Sequence, residues 1–545
     1  MGRIIGIDFG TTNSVASFVN SRGNIEIIKD HNGDYLMPSV VAKYDDKLIV
    51  GKEAKENESA FINGDGVKEV KREIGKNKKI IFDGKYVEPK DIAAIIIGKV
   101  KGNAEKFLKE TVTDVVITVP AEFSDMQRKE IIEAATMAGL NVKKIINEPT
   151  AALLNYTQNN ISSKKILCYD FGGGTFDVSI ADVNVNRDVS VIAVGGDRGL
   201  GGKDIDEAFF KYLLKNLQKT KNVKLDALGE RQLLLAVEKA KIDLSSKTQA
   251  TISIEKLSTT SGTIGCFKTI YKNEFERLIY PIIQNTINLV NDTLDDKNIN
   301  SRSIDEVVLV GGSSKIPLVS EKLIEIFGNK VKCSDDMDMC VSMGAAIEAA
   351  NQIGQNYGKK SSIKKDVCPF NLGLKVWRDG NDDVFDSIVN KNSAYGVQYS
   401  EKYNTAMDNQ VSMVLEIYQG DSGWASKNEH ICDFEIEGIP MNSAGEEWVR
   451  VSFQYDENGI INIKAKILST GVEFKHSYKY GYDISNVDTS FVDEHLICSE
   501  DREKANKIKE ELQEDGIWDI ASEIDEYVKY EQKEDLEDLL QELEI

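Results

Sequence analysis

Three glycine-rich turns in the first 315 residues carry the residue types that handle phosphate: Gly6-Ile7-Asp8-Phe9-Gly10-Thr11-Thr12, Asp170-Phe171-Gly172-Gly173-Gly174-Thr175 and Val308-Leu309-Val310-Gly311-Gly312-Ser313-Ser314. Glycine lets backbone N–H groups approach a phosphate with no Cβ in the way. The hydroxyls of Thr11, Thr12 and Thr175 add donors, and Asp8 and Asp170 offer carboxylates to a hydrated magnesium ion that bridges phosphates. The first two turns share an order: an Asp closes an apolar run, then come Gly and a hydroxyl residue. That order reads as a duplicated half-domain whose copies clamp a nucleotide. None of the turns fits the P-loop pattern or G-x-G-x-x-G, so the P-loop, Rossmann and protein-kinase readings lose their main support.

Each turn needs a strand to deliver it. Apolar runs at 4–9, 115–119, 166–170, 178–181 and 307–310 read as strands, and amphipathic stretches such as 125–138, with Ser124 as N-cap and Gly139 as stop, read as helices between them. Residues 1–357 are therefore expected to form an α/β nucleotide-binding domain. The stretch 354–365 has neither apolar period, and residues 358–365 read as a solvated linker. Alternation then takes over at Val411, Met413, Leu415 and Ile417 and at Val449, Val451, Phe453 and Tyr455, with Glu457-Asn458-Gly459 as a turn. Residues 366–482 are expected to be an antiparallel β-sandwich. Residues 483–545 show helical spacing, and 501–545 hold seventeen acidic against six basic residues, so a short helical cap carries about half of the net charge of -22.

That charge, with a pI near 4.9, argues against a nucleic acid or an anionic membrane as partner. Seven cysteines with no C-x-x-C pair give neither a disulfide framework nor a zinc pattern, and point to a reducing cytoplasm. The apolar stretch 92–100 is too short to span a bilayer.

At four ordered sites the chain resembles the DnaK-type seventy-kilodalton heat-shock chaperones: Ile5 through Ser14, Ile117-Thr118-Val119-Pro120-Ala121, Ile145-Ile146-Asn147-Glu148-Pro149-Thr150-Ala151-Ala152, and the segment from Asp170 to Asp177. The likeness continues through Leu200-Gly201-Gly202-Lys203-Asp204-Ile205-Asp206, Glu238 to Ser246 and Gly311 to Pro317. It implies an actin-like two-lobed ATPase domain, followed by the sandwich and a short α-helical C-terminal lid. It also implies an ATP hydrolase with ATP/ADP and Mg2+ as cofactors, in which Lys71, Glu148, Asp170, Thr175 and Asp177 are catalytic and Asp8 and Asp170 hold magnesium mostly through water. The nucleotide would contact Asp8, Gly10, Thr11, Thr12, Asn13, Gly172, Gly173 and Gly174 at its phosphates. Its adenosine would lie among Gly201, Gly202, Glu238, Lys241, Ser245, Gly311, Gly312, Ser313, Lys315 and Asp338, and Ile242 and Lys315 stand where some relatives carry Arg.

The same resemblance assigns Pro120 and Arg128 to a switch and relay between domains, and Asn147 and Thr150 to a surface for J-domain co-chaperones. In the sandwich, Leu372, Leu374, Tyr403, Met413 and Leu415 would line a cleft for extended apolar peptide, with Trp377 and Ala406 arching over it. It implies unfolded polypeptide, a J-domain co-chaperone and a nucleotide-exchange factor as partners of a cytoplasmic monomer. Relatives carry a leucine-like run where this chain reads Ser362-Ile363-Lys364-Lys365, and the lid is about half the usual length. Two alternatives stay open at this point: an ATP-binding scaffold or co-chaperone whose ATPase cycle is weak or uncoupled, and a filament protein or small-molecule kinase on the same nucleotide fold.

Overall fold

A computed structural model describes every residue except 1, 31, 46, 159–161, 222, 333–335, 358, 478–489, 498, 515–517, 531–532, 534–535, 537–538, 541–542 and 544–545. The expected boundaries at 358 and at 482/483 fall outside the described residues.

Two six-stranded sheets share one topology over five of their strands. In the first, the antiparallel meander Arg3–Phe9, Asn13–Val19, Ile25–Ile27 is extended by Val112–Val119 and Asn141–Asn147, which lie parallel to the opening strand. In the second, the meander Lys164–Phe171, Phe176–Val183, Asp188–Asp197 is extended in the same way by Glu306–Val310 and Val331–Lys332. The duplication expected from the two Asp-Gly turns is thus present in the strand order. Each turn joins the first two strands of its meander, so the two turns occupy equivalent places in the two lobes.

The strands read as near-continuous apolar runs because both faces are covered. Ile5, Ile7, Val115 and Ile117 are fully buried in the first lobe under the helices Pro89–Leu108 and Asp125–Met137. Leu167, Tyr169, Val178 and Ile180 play the same part in the second. The opposite faces meet the helices Glu148–Tyr156 and Cys340–Gln352 in a shared core between the lobes. These two helices approach closely because Gly344 presents no side chain to the Ala151 backbone. The Asp125–Met137 helix starts on a capping box in which the Ser124 backbone N–H donates to Gln127 Oε1 at 3.1 Å.

The linker differs from its expectation. Ser362–Lys365 is not free coil; it adds a parallel edge strand to the second-lobe sheet, with Ser362 opposite Asp188 and Ile363 opposite Val189, while Lys364 and Lys365 stay exposed. Backbone hydrogen bonds make such an edge without an apolar run. Ile363 packs against the inter-lobe core, Ser362 Oγ donates to Asp188 Oδ1 at 2.6 Å, and Lys364 pairs with the same carboxylate at 3.6 Å.

Beyond it, two four-stranded antiparallel sheets form the sandwich, one containing Leu372–Arg378, Asn381–Val389, Ser412–Gln419 and Glu429–Glu437, the other Gln398–Asn404, Trp448–Tyr455, Ile461–Ile467 and Glu473–Ser477. The helices Ser490–His495, Ser499–Glu514 and Trp518–Tyr530 follow. Val492 and Leu496 are buried in the first-lobe core, with Phe491 packed against it, and Leu496 fills the notch left by Gly98. Among the described residues no helix is long and apolar enough to cross a membrane.

Candidate nucleotide site

A cavity of about 590 Å3 opens between the lobes, and the three glycine turns converge on it. Its first-lobe wall carries Asp8 at the end of its strand, the turn Gly10, Thr11, Thr12 and Asn13, Lys71 and Glu148. Lys71 lies on the single helical turn Val70–Arg72, and Glu148 opens its helix with Pro149 behind it, a residue suited to a first turn. The second lobe contributes Asp170, Gly172, Gly173, Gly174 and Thr175.

Lys71 is 2 % exposed and its Nζ donates to Glu148 Oε1 at 2.5 Å. Around this pair lie three buried carboxyls. Burial, reinforced by the charge of Glu148, pushes Asp8 up to about 7 and Asp177 up to about 7. The same causes in the same order raise Asp170 well above the usual carboxylate range. Thr118 Oγ1 donates to Asp8 Oδ1 at 3.1 Å, and the Glu122 backbone N–H donates to Asp177 Oδ1 at 3.3 Å. Asp177 Oδ2 has no hydrogen-bond partner. Clustered carboxyls with raised proton affinity and an orphaned oxygen describe a site short of positive charge. An all-oxygen donor set suits magnesium. Among the described residues no group of three or more carboxylate, His or Cys side chains could hold an ion together.

Away from the carboxyls, the cavity is walled by Glu238, Lys241, Ile242 and Ser245 from the end of the helix Ala227–Leu244, and by Gly311, Gly312, Ser313, Lys315 and Asp338. Lys55 of the first lobe reaches Glu238 at 2.8 Å, Lys241 pairs with Asp206 at 2.7 Å, and Lys315 pairs with Asp338. Gly311, at φ +82°, packs against the Phe171 backbone, a conformation and contact that exclude a Cβ. Gly201, Gly202 and Asp177 do not line the cavity but stand behind it; the Gly202 N–H donates to the Gly172 carbonyl at 3.0 Å and so buttresses the turn. Val15, Leu36, Ile316, Met337 and Val341 complete the wall. Sequence reasoning passed over these apolar residues because nothing distinguishes them from core.

Pro120 and Arg128 lie between the site and the sandwich. Arg128 is 2 % exposed; its guanidinium donates to the carbonyls of Phe123 at 3.2 Å, Ala121 at 3.1 Å and Asn458 at 3.3 Å, and to Asn147 Oδ1 at 2.8 Å. Pro120 is buried just before this segment. The sandwich turn answers with Asn458 Oδ1, which accepts from the Ile145 N–H at 2.9 Å, and with the Ile461 N–H, which donates to Asp125 Oδ1 at 2.9 Å. Asn147 and Thr150 are not the open surface that the resemblance implied. Both are buried, and both donate to Asp366 Oδ2 at 3.1 Å.

In the sandwich, Leu372, Leu374 and Leu415 are core residues at 0 to 3 % exposure and do not face solvent. Met413 and Tyr403 are partly buried against that core, and the Tyr403 hydroxyl donates to Asp386 at 2.8 Å. Trp377 is 72 % exposed, and Ala406 is exposed too.

Two segments, residues 4–83 and 77–545, match the family described as Hsp70 protein. The chain belongs to the Hsp70 family. It is 34% identical to the chaperone protein DnaK of Thermosipho melanesiensis over 99% of this chain and 92% of that protein. It is also 34% identical to the chaperone protein DnaK of Thermosipho africanus over 99% of this chain and 91% of that one. As an Hsp70 chain it is an ATP-hydrolysing molecular chaperone of the DnaK type, with actin-like ATPase lobes and a β-sandwich. The filament and small-molecule kinase readings fall with that membership.

Proposed function

We propose that the inter-lobe cavity binds ATP with magnesium, that Lys71, Glu148, Asp170, Thr175 and Asp177 carry out hydrolysis, and that the nucleotide governs peptide exchange in the sandwich through Arg128 and the Ser362–Lys365 strand. The observation that carries this reading is the buried Lys71–Glu148 pair beside Asp8, Asp170 and the Gly172–Gly174 turn in one cavity. Phosphoryl transfer needs positioning and charge neutralisation more than covalent chemistry, and no His or Cys is required. Magnesium, when bound, neutralises charge developing on the phosphates. Lys71 orients the attacking water, Glu148 keeps the lysine in place, Thr175 Oγ1 donates toward the terminal phosphate, and the unpartnered Asp177 Oδ2 accepts from water.

The peptide cleft would be formed by Trp377, Tyr403, Ala406 and Met413, with Leu372, Leu374 and Leu415 beneath them as its floor. A J-domain co-chaperone and a nucleotide-exchange factor would set the pace of the cycle, in the cytoplasm. The J-domain surface at Asn147 and Thr150 becomes available when Asp366 leaves it together with the sandwich. Thr175→Ala and Lys71→Ala are each expected to lower kcat for ATP about a hundredfold or more while ATP still binds. Unchanged turnover in both variants, read by phosphate release, would overturn the site assignment.

A further inference from the structure

We propose that Arg72 is a positioning residue for ATP hydrolysis, acting through a reciprocal clamp that ties the Lys71 turn of one lobe to the glycine turn of the other; this rests on the assignment of Lys71 and Gly172–Thr175 proposed above. Glu69 and Arg72 flank the lysine, while Lys203 and Asp204 are consecutive residues in the first turn of the helix Gly202–Lys221. Lys203 pairs with Glu69 at 2.5 Å, and Arg72 Nη2 pairs with Asp204 Oδ2 at 2.7 Å. Arg72 Nε also donates to the Gly174 carbonyl at 2.9 Å. One lobe offers minus then plus, and the other answers with plus then minus.

The partners of this clamp are themselves built on the phosphate turn. The Lys203 N–H donates to the Gly173 carbonyl at 2.9 Å, and Asp204 Oδ2 accepts from the Gly201 N–H at 2.7 Å. Lys71 spends its ammonium on Glu148, within its own lobe, so its height above the opposite turn is set through its neighbours. A guanidinium is suited to this because its planar fork reaches a carbonyl and a carboxylate at fixed angles, which an ammonium cannot reproduce. The Arg72 and Asp204 side chains are only 12 % and 29 % exposed, so screening by salt is reduced there. A slip in the closure of the lobes would bring Arg72 toward Lys203 and Glu69 toward Asp204, so the alternating charges select one register. Small misplacements of a reacting group cost on the order of a hundredfold in rate.

The test is single-turnover ATP hydrolysis, ATP affinity and Tm on the full chain for Arg72→Ala, Arg72→Lys, Glu69→Lys, Lys203→Glu and the double charge reversal Glu69→Lys with Lys203→Glu, alongside Lys71→Ala. Arg72→Ala is expected to lower kcat about ten- to a hundredfold with KM changed less than about threefold, and Arg72→Lys to recover only part of that loss. Each single reversal is expected to slow turnover and the double reversal to restore it. A double reversal no better than the singles, or a parallel fall of ATP affinity and Tm in Arg72→Ala without a kcat effect, would overturn the proposal. Lys71→Ala separates the two readings: if it leaves turnover intact, the site assignment itself fails. If it abolishes turnover while Arg72→Ala leaves kcat unchanged, only the positioning role fails.

Discussion

The residues around Lys71 hold more acid than they can neutralise. Asp8 and Asp177 titrate at about 7, against an ordinary 3.8, because burial and Glu148 disfavour their charged forms. Below pH 7 the folded, nucleotide-free chain keeps protons that the unfolded chain has already lost, so these two groups make stability fall as pH rises from about 4 through about 7. If Asp8 and Asp170 hold magnesium as proposed, Asp8 would give up its proton when the ion binds with nucleotide. The rise in Tm on adding ATP with magnesium is therefore expected to grow between about pH 6 and pH 8, and a rise independent of pH would contradict the assignment of these carboxyls.

At the scale of elements, the glycine turns were legible in the sequence because their chemistry and their strand positions coincide: Asp8 and Asp170 each close an apolar run and each stands at the end of an opening meander strand. The linker was not legible. Ser362–Lys365 lacks an apolar period, yet an edge strand is made by the backbone and needs only one side chain facing the core, which Ile363 supplies. Leu372, Leu374 and Leu415 could not be separated from plain core by alternation alone, since a strand buries every second residue whatever its function. A negative charge placed at the half-buried Ile363 position should undo the edge strand. Ile363→Asp is expected to shift the docking equilibrium about tenfold or more toward the free linker. Faster trypsin cleavage after Lys364 and Lys365 measures that shift; protection equal to wild type would contradict the docked strand.

Across the whole molecule, the ATPase lobes meet the sandwich through polar contacts beside the buried Val367 and Ile460, and meet the C-terminal helices through the apolar Phe491, Val492 and Leu496. Arg128 links the Ala121–Asn147 region to the sandwich turn at Asn458, Asp366 is held by Asn147 and Thr150, and Arg198 meets Glu429 at 3.4 Å. Such contacts make and break with little loss of core, which suits domains that must part. Removing Arg128 leaves buried carbonyls unpaired, and each costs about 1–3 kcal/mol. Arg128→Ala is therefore expected to keep basal ATP turnover but to lose its response to peptide, with the linker open to trypsin in ATP. A peptide response equal to wild type would mean that the signal travels elsewhere.

The central claim is that the nucleotide cavity and the sandwich work as one machine through a linker without a leucine run. ATP turnover of the full chain, measured with increasing amounts of an extended apolar peptide, tests it most directly. A saturable rise in turnover, lost in Arg128→Ala and Ile363→Asp, is the predicted result. A rate that stays flat at every peptide concentration while the peptide binds would contradict coupling and leave an ATPase joined to an independent binding domain.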